Sequence, residues 1–260
     1  MGYRLKVMGA LLALSLTASA WEYNSQTSTT EQAVQMRVGA EFNKKWNNGL
    51  KLSLAEDIRI DLYNSMSGTN FSRAYTTLSV GYTPIQYFKM DAGYTLRVMG
   101  RKDWSDANEV LRHRVFVSVA GVYPTEYVKL SLRERVLCDM RTDSVNLLEK
   151  NRYNCLLRSR IGAEFIVPGK PVKPYCWAEV ENTLNVPEYQ QLQGRQYISH
   201  VRAQAGVKWR LAKLHSLDFY YRFQYGYDRD INITKKQGYI ELTEEKSFVH
   251  ALGIVYCLDW

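Results

Sequence analysis

Apolar and polar residues alternate along most of this chain. In Leu50-Lys51-Leu52-Ser53-Leu54-Ala55-Glu56-Asp57-Ile58-Arg59-Ile60-Asp61-Leu62, one set of alternate positions is mainly aliphatic and the other mainly charged or small. A period of two predicts an extended strand with two unlike faces. Val128-Lys129-Leu130-Ser131-Leu132-Arg133-Glu134-Arg135-Val136 repeats the pattern, and both runs contain Lys-Leu-Ser-Leu-x-Glu, at 51–56 and 129–134. Duplication of a strand explains that match. A third run, Leu217-Asp218-Phe219-Tyr220-Tyr221-Arg222-Phe223-Gln224-Tyr225, places large apolar or aromatic side chains on one face and Asp, Tyr, Arg and Gln on the other.

A glycine returns every 40 to 47 residues, at Gly39, Gly81, Gly121, Gly162, Gly206 and Gly253. That interval fits a hairpin of two strands of about ten residues with one short and one long connection. Short connections are predicted near 44–48, 84–86, 124–126, 168–171 and 212–214, and longer polar ones near 64–70, 100–108, 140–150, 187–194 and 228–246. Alternation of short turns with long loops is the pattern of an antiparallel barrel in an outer membrane, turns on the periplasmic side. Five glycines share the polar face; Val115, Val117 and Val119 share the face of Gly121 and leave its register open.

The strand count poses a question. Six glycine segments run towards the short turns, and five return strands lie between them, near 50–62, 88–99, 127–139, 175–184 and 216–227. Eleven strands would leave the first and last parallel, whereas single-chain bacterial barrels have an even number. The expected architecture is therefore an all-β, antiparallel up-and-down transmembrane β-barrel of twelve strands, within a range of ten to twelve. The domain plan is a signal at 1–20, an N-terminal segment at 21–32 that adds a strand or threads the lumen, and the barrel at 33–260.

Export follows from the first twenty residues. Arg4 and Lys6 precede the apolar run 7–16, and Ala18-Ser19-Ala20 makes a small-residue cleavage site, so the mature chain starts at Trp21. Losing Arg4 and Lys6 lowers the formal charge from +8 to +6. The basic residues alternate with Leu and Val instead of forming a stripe, which argues against nucleic acid. Nineteen Tyr against eight Phe suit a water–lipid boundary. Tyr82, Tyr87, Phe88, Tyr123, Tyr127, Phe165, Tyr175, Trp209 and Tyr256 are expected in one aromatic girdle, and Tyr225 and Tyr227 towards the other. The last strand puts Leu252, Ile254, Tyr256, Leu258 and Trp260 on one face, resembling the terminal signal read by the barrel-assembly machinery of bacterial outer membranes.

With the polar face inward, the lumen is lined by Arg37, Lys51, Asp57 and Arg59, then Arg97, then Lys129, Arg133 and Arg135. Arg158, Arg160, Glu179, Glu181, Arg202 and Arg222 follow, with Lys89, Lys208, Glu41, Asp61, Asp91, Glu164 and Asp218 on the same face. Basic side chains exceed acidic ones, which suits either a narrow anion-preferring pore or an interior sealed by mutual neutralisation. Glu56 and Glu134 break their aliphatic faces at equivalent places and are expected near the outer rim. Cys138 and Cys155 flank a loop almost symmetrically and are positioned to face each other as a disulfide; Cys176 and Cys257 have no evident partner. The four histidines are scattered, His215 and Ser216 point to opposite faces of a strand, and His113 with Ser131 is the remaining His–Ser pairing to consider. No catalytic, metal or cofactor motif emerges, and the chain reads as a non-enzyme.

The hairpin repeat, the Lys-Leu-Ser-Leu-x-Glu segments, Leu111-Arg112-His113-Arg114 and His215-Ser216-Leu217-Asp218-Phe219-Tyr220-Tyr221-Arg222-Phe223-Gln224 resemble an uncharacterised outer-membrane family common in Bacteroidota, domain of unknown function 2490. The resemblance implies an outer-membrane barrel and supplies no catalytic or ligand residues. Residues 237–245 look more elaborate than usual for it, enough to form a small hairpin. The expected setting is the cell outer membrane, with lipid and lipopolysaccharide as surroundings, and the expected role a narrow passive channel or an envelope structural protein. A soluble secreted β-sandwich binding a ligand through its loops is the alternative, and a membrane-embedded lipid hydrolase a third.

Overall fold

A computed structural model describes residues 25–64, 71–100, 111–141, 152–186, 198–234 and 239–260. The signal segment, Trp21 and most of the long connections lie outside them. Among the described residues, eleven strands close into one barrel. They are β1 (Ser25–Lys45), β2 (Leu50–Asn64), β3 (Phe71–Ile85), β4 (Phe88–Met99), β5 (Leu111–Pro124), β6 (Val128–Arg141), β7 (Tyr153–Phe165), β8 (Val172–Thr183), β9 (Ile198–Arg210), β10 (His215–Thr234) and β11 (Tyr239–Asp259). Each pairs antiparallel with its sequence neighbours, and β1 closes on β11 in parallel.

The count falls inside the expected range and differs from the twelve favoured above. Residues 25–30 neither form a strand of their own nor thread the lumen; they begin β1 and pair in parallel with Glu241 to Lys246. The reason lies in β10 and β11, whose hairpin runs out to Thr234 opposite Tyr239. Its long free edge supplies backbone partners to a Ser/Thr-rich stretch that lacks a strong alternation of its own. The neighbours stop sooner: β9 reaches β10 only to Gly226, and β2 reaches β1 only to Ala33. A three-stranded extension of β1, β11 and β10 therefore continues past the long-loop rim, and residues 239–245 belong to this barrel hairpin, not to a separate small one.

The side-chain distribution is inside out. Gln35, Arg37, Ser118, Glu179 and Arg202 are buried, whereas Leu54, Val80, Val117, Leu132, Ile161 and Phe219 are exposed. An exterior this apolar has lipid as its natural solvent, and a closed barrel leaves no backbone edge unpaired where it crosses. The aromatic residues Tyr82, Tyr87, Phe88, Tyr123, Tyr127, Phe165 and Trp209 are exposed around the short turns. Tyr175 is the exception in the predicted girdle. It shares its face with Glu179 and Glu181, points inward, and donates its hydroxyl to Asp218 Oδ1 at 2.9 Å.

The short turns set the register. Between β1 and β2, Trp46 N donates to Leu50 O at 2.9 Å, and Gly49 has a φ of 85°, a conformation that L side chains rarely adopt. At the seam, Trp260 N donates to Asn43 O at 2.7 Å, Lys45 N donates to Trp260 O at 2.9 Å, and Lys44 Nζ sits 3.7 Å from the centre of the Trp260 ring. Trp260 thus ties the turn-side end of β1 to the residue that follows β11.

Candidate functional site: a charged lumen

Strand parity places every residue expected in the lumen on the inner face. Two details of the wall explain how the inward side chains fit. The inward glycines Gly253 and Gly206 lie under neighbouring rings: a Cβ on Gly206 would meet the Tyr175 ring at 2.8 Å, and one on Gly253 would overlap the ring of Tyr220. Gly121, by contrast, faces outward with nothing within 4 Å, because Val115, Val117 and Val119 carry the lipid side of β5.

Arginines occupy the half of the lumen nearer the long loops, and carboxylates tie them together. Glu179, 2% exposed, takes Arg133 at 3.2 Å, Arg160 at 2.6 Å and Arg202 at 3.0 Å. Glu181 takes Arg158, Arg202 at 3.0 Å and His200 at 2.9 Å. Asp139 accepts from Arg97 at 2.6 Å and from Arg114. Asp91 accepts from Arg135 at 2.9 Å and Ser118 Oγ at 2.6 Å, and Asp57 pairs with Arg59 at 2.9 Å. Several of these bridges skip a strand, β4 to β6 for Arg97–Asp139 and β6 to β8 for Arg133–Glu179, so they tile the wall as well as neutralising it. Rings add to the tiling, with Arg160 3.8 Å from the centre of Trp177 and Arg59 4.3 Å from that of Tyr75.

This network encloses a cavity of about 550 Å³. Arg59, Arg97, Arg158, Arg160, Arg202 and Arg222 line it with Glu179 and Glu181, together with three arginines not singled out from the sequence, Arg73, Arg112 and Arg114. Towards the mouth it is bounded by Thr29, Glu31, Asp228 and Glu245 of the three-stranded extension. Beside it, Phe116, Leu137 and Leu156 are direct cross-strand neighbours buried together, and of the three Leu156 lines the cavity.

Lysines take over at the short-turn end. Lys51, Lys89, Lys129 and Lys173 are each the second residue of a return strand and face inward. Lys51 lies 3.4 Å from Glu41, and Lys173 and Lys208 share Glu164 at 3.7 and 3.8 Å.

The outer face holds the remaining polar groups in pairs. Glu56 and Glu134 are each the seventh residue of their strand, at mid-height and not at the rim. Thr76 Oγ1 donates to Glu56 Oε2 at 2.9 Å, and Ser159 Oγ donates to Glu134 Oε2 at 2.6 Å. Three histidines pair with tyrosine hydroxyls on this side: His113 with Tyr94 at 2.5 Å, His215 with Tyr256 at 2.6 Å and His250 with Tyr221 at 2.6 Å. Ser131 faces inward, with its Oγ 3.4 Å from Gly162 O, so the barrel wall separates it from His113. Cys138 and Cys155 are opposite one another on β6 and β7 and form a disulfide; Cys176 and Cys257 are free. No group of His, Cys, Asp and Glu able to hold a metal ion occurs among the described residues.

No curated protein matches the chain. A solved structure described as the NanC porin in a rhombohedral crystal form is similar with a TM-score of 0.45 and 9% identity, covering 73% of this chain and 86% of its own. The strand pairing above, not that likeness, carries the description of the fold. Residues 35–234, from the middle of β1 to the end of β10, match the family described as protein of unknown function (DUF2490), and the chain belongs to that family.

Proposed function

We propose that this protein is an integral outer-membrane barrel whose lumen is a narrow passive conduit preferring anions. The observation that carries the reading is the charge of the inner wall, with arginines around the loop-side cavity and inward lysines at the turn side. Rings of fixed positive charge raise the local concentration of anions and repel cations. The apolar exterior and the exposed aromatics around the short turns support membrane residence, with lipid and lipopolysaccharide against the wall. The apolar outer face of β11, with Leu252, Ile254, Tyr256 and Leu258 at alternate positions, supports recognition by the barrel-assembly machinery. A role without catalysis is supported by the placement of His113, His215 and His250 on the outer face, each beside a tyrosine hydroxyl.

Planar-bilayer recording tests the conduit. Refolded protein inserted in the bilayer is expected to give discrete conductance steps. Their absence, with insertion established independently, would sink the conduit and leave an envelope structural role, in which the ion-pair network serves as a seal.

A further inference from the structure

In two places in the lumen, arginines that face each other across neighbouring strands each have a carboxylate to hold. Arg133 and Arg160 are directly opposite and share Glu179; Arg135 and Arg158 are opposite and hold Asp91 and Glu181. The row Arg37, Arg59 and Arg73 departs from this rule. These are successive cross-strand partners on β1, β2 and β3, and like charges so placed raise the energy of a sheet. Asp57 serves Arg59, and the next inward carboxylate of β2, Asp61, accepts from Gln35 Nε2 at 2.8 Å.

Arg37 is 1% exposed. Its Nη2 donates to Gln35 Oε1 at 2.9 Å, while among the described residues its Nε and Nη1 meet no acceptor; the Nε of Arg73 meets none either, as is true of Arg97, Arg133 and Arg135, but Arg37 alone has two such nitrogens. A fourth guanidinium arrives across the seam. The parallel partner of Arg37 is Gly253, over which the Tyr220 ring lies, so that β10 brings Tyr220 and Arg222 close to Arg37 and Arg59. Arg222 donates Nε to Gln204 Oε1 at 2.7 Å and makes no ion pair among the described residues. Guanidinium keeps its charge in proteins, and a buried charge without a counter-charge is costly.

We propose that this cluster is a binding site for a small solute carrying an oxyanion, phosphate or carboxylate, contacted by Arg59, Arg73 and Arg222 and attracted by the buried charge of Arg37 beside them. Planar guanidinium forks match the paired oxygens of these groups better than they match a spherical halide. Arg59, Arg73 and Arg222 line the cavity and Arg37 stands behind them, so the site is reached from the long-loop mouth. The proposal deepens the conduit reading by naming its cargo, but it is tested separately, because a sealed barrel can still bind.

The test is calorimetric titration of the full-length folded barrel in detergent with inorganic phosphate and, in parallel, acetate, each against chloride of matched ionic strength. Saturable binding of either oxyanion, weakened at least tenfold in Arg37→Gln and Arg222→Gln and unchanged in Lys170→Gln in a short turn, is expected. The two titrations distinguish phosphate from carboxylate as the group recognised. Arg37→Gln is also expected to raise the thermal midpoint of the ligand-free barrel while abolishing its shift by the anion. If Arg37 were merely structural, the substitution would lower that midpoint. Silence of both oxyanions, or undiminished binding in both folded arginine variants, would overturn the proposal.

Discussion

Glu179 shows how single residues set the character of this lumen. It is 2% exposed and meets three guanidinium groups, so replacing it with Gln leaves those charges without their common partner. Breaking a buried network from one side costs about 3 to 5 kcal/mol, and Glu179→Gln is expected to lower urea-unfolding stability in lipid vesicles by that order. Glu56 predicts the opposite sign. Its carboxylate faces lipid at mid-strand with Thr76 as hydrogen-bond donor, and Glu56→Gln keeps the hydrogen bond while removing the charge. The variant is expected to be as stable as the native barrel or more stable by about 1 kcal/mol in the same assay; a clear loss would mean that the charge has a partner or role beyond Thr76. Alternation alone identified the inward set from Arg37 to Arg222, because the side-chain period of a strand is two. It passed over Arg112 and Arg114, whose face continues into Phe116, Ala120 and Val122 and so reads as apolar, and it passed over Arg73 and Asp139 near strand ends. Which arginine meets which carboxylate depends on register between strands, and alternation within one strand carries no information about that.

Among the elements, the seam between β1 and β11 is the distinctive one. The pairing there is parallel over the whole run from Ser25 opposite Glu241 to Asn43 opposite Asp259. The glycine repeat counted out to eleven strands, six descending to short turns and five returning, with the first and last parallel, and the expectation of an even number set that count aside in favour of twelve. What the sequence could not convey was the use of 25–30, because Ser/Thr-rich residues have no preferred face and take their conformation from the free edge of β11. Val38 and Ile254 are partners in this register, both on the outer face. The double variant Val38→Cys, Ile254→Cys is expected to form an intramolecular disulfide on oxidation, located by mass spectrometry of the peptides. Val38→Cys with Leu258→Cys, four residues out of register, is expected to stay reduced. Cross-linking only in the second pair would displace the seam. The repeating glycine has a second meaning at this scale, since Gly206 and Gly253 receive the rings of Tyr175 and Tyr220 from adjacent strands, a packing role that sequence spacing does not reveal.

At the scale of the molecule, polarity is arranged in two directions. Radially, an apolar exterior surrounds a charged interior, which follows from a strand with two unlike faces once the sheet closes. Along the axis, guanidinium groups populate the loop side and ammonium groups the turn side, with buried ion pairs between. Radial polarity was legible in the sequence because alternation, export signal and loop lengths all agree; axial polarity emerges only when the second residues of β2, β4, β6 and β8 are brought to one end. Together they give a positively charged interior, the basis of the conduit proposed above. The reversal potential of the inserted barrel under a potassium chloride gradient measures that claim most directly. The account predicts a potential displaced towards the equilibrium value for chloride, and a potential displaced towards that for potassium would contradict it.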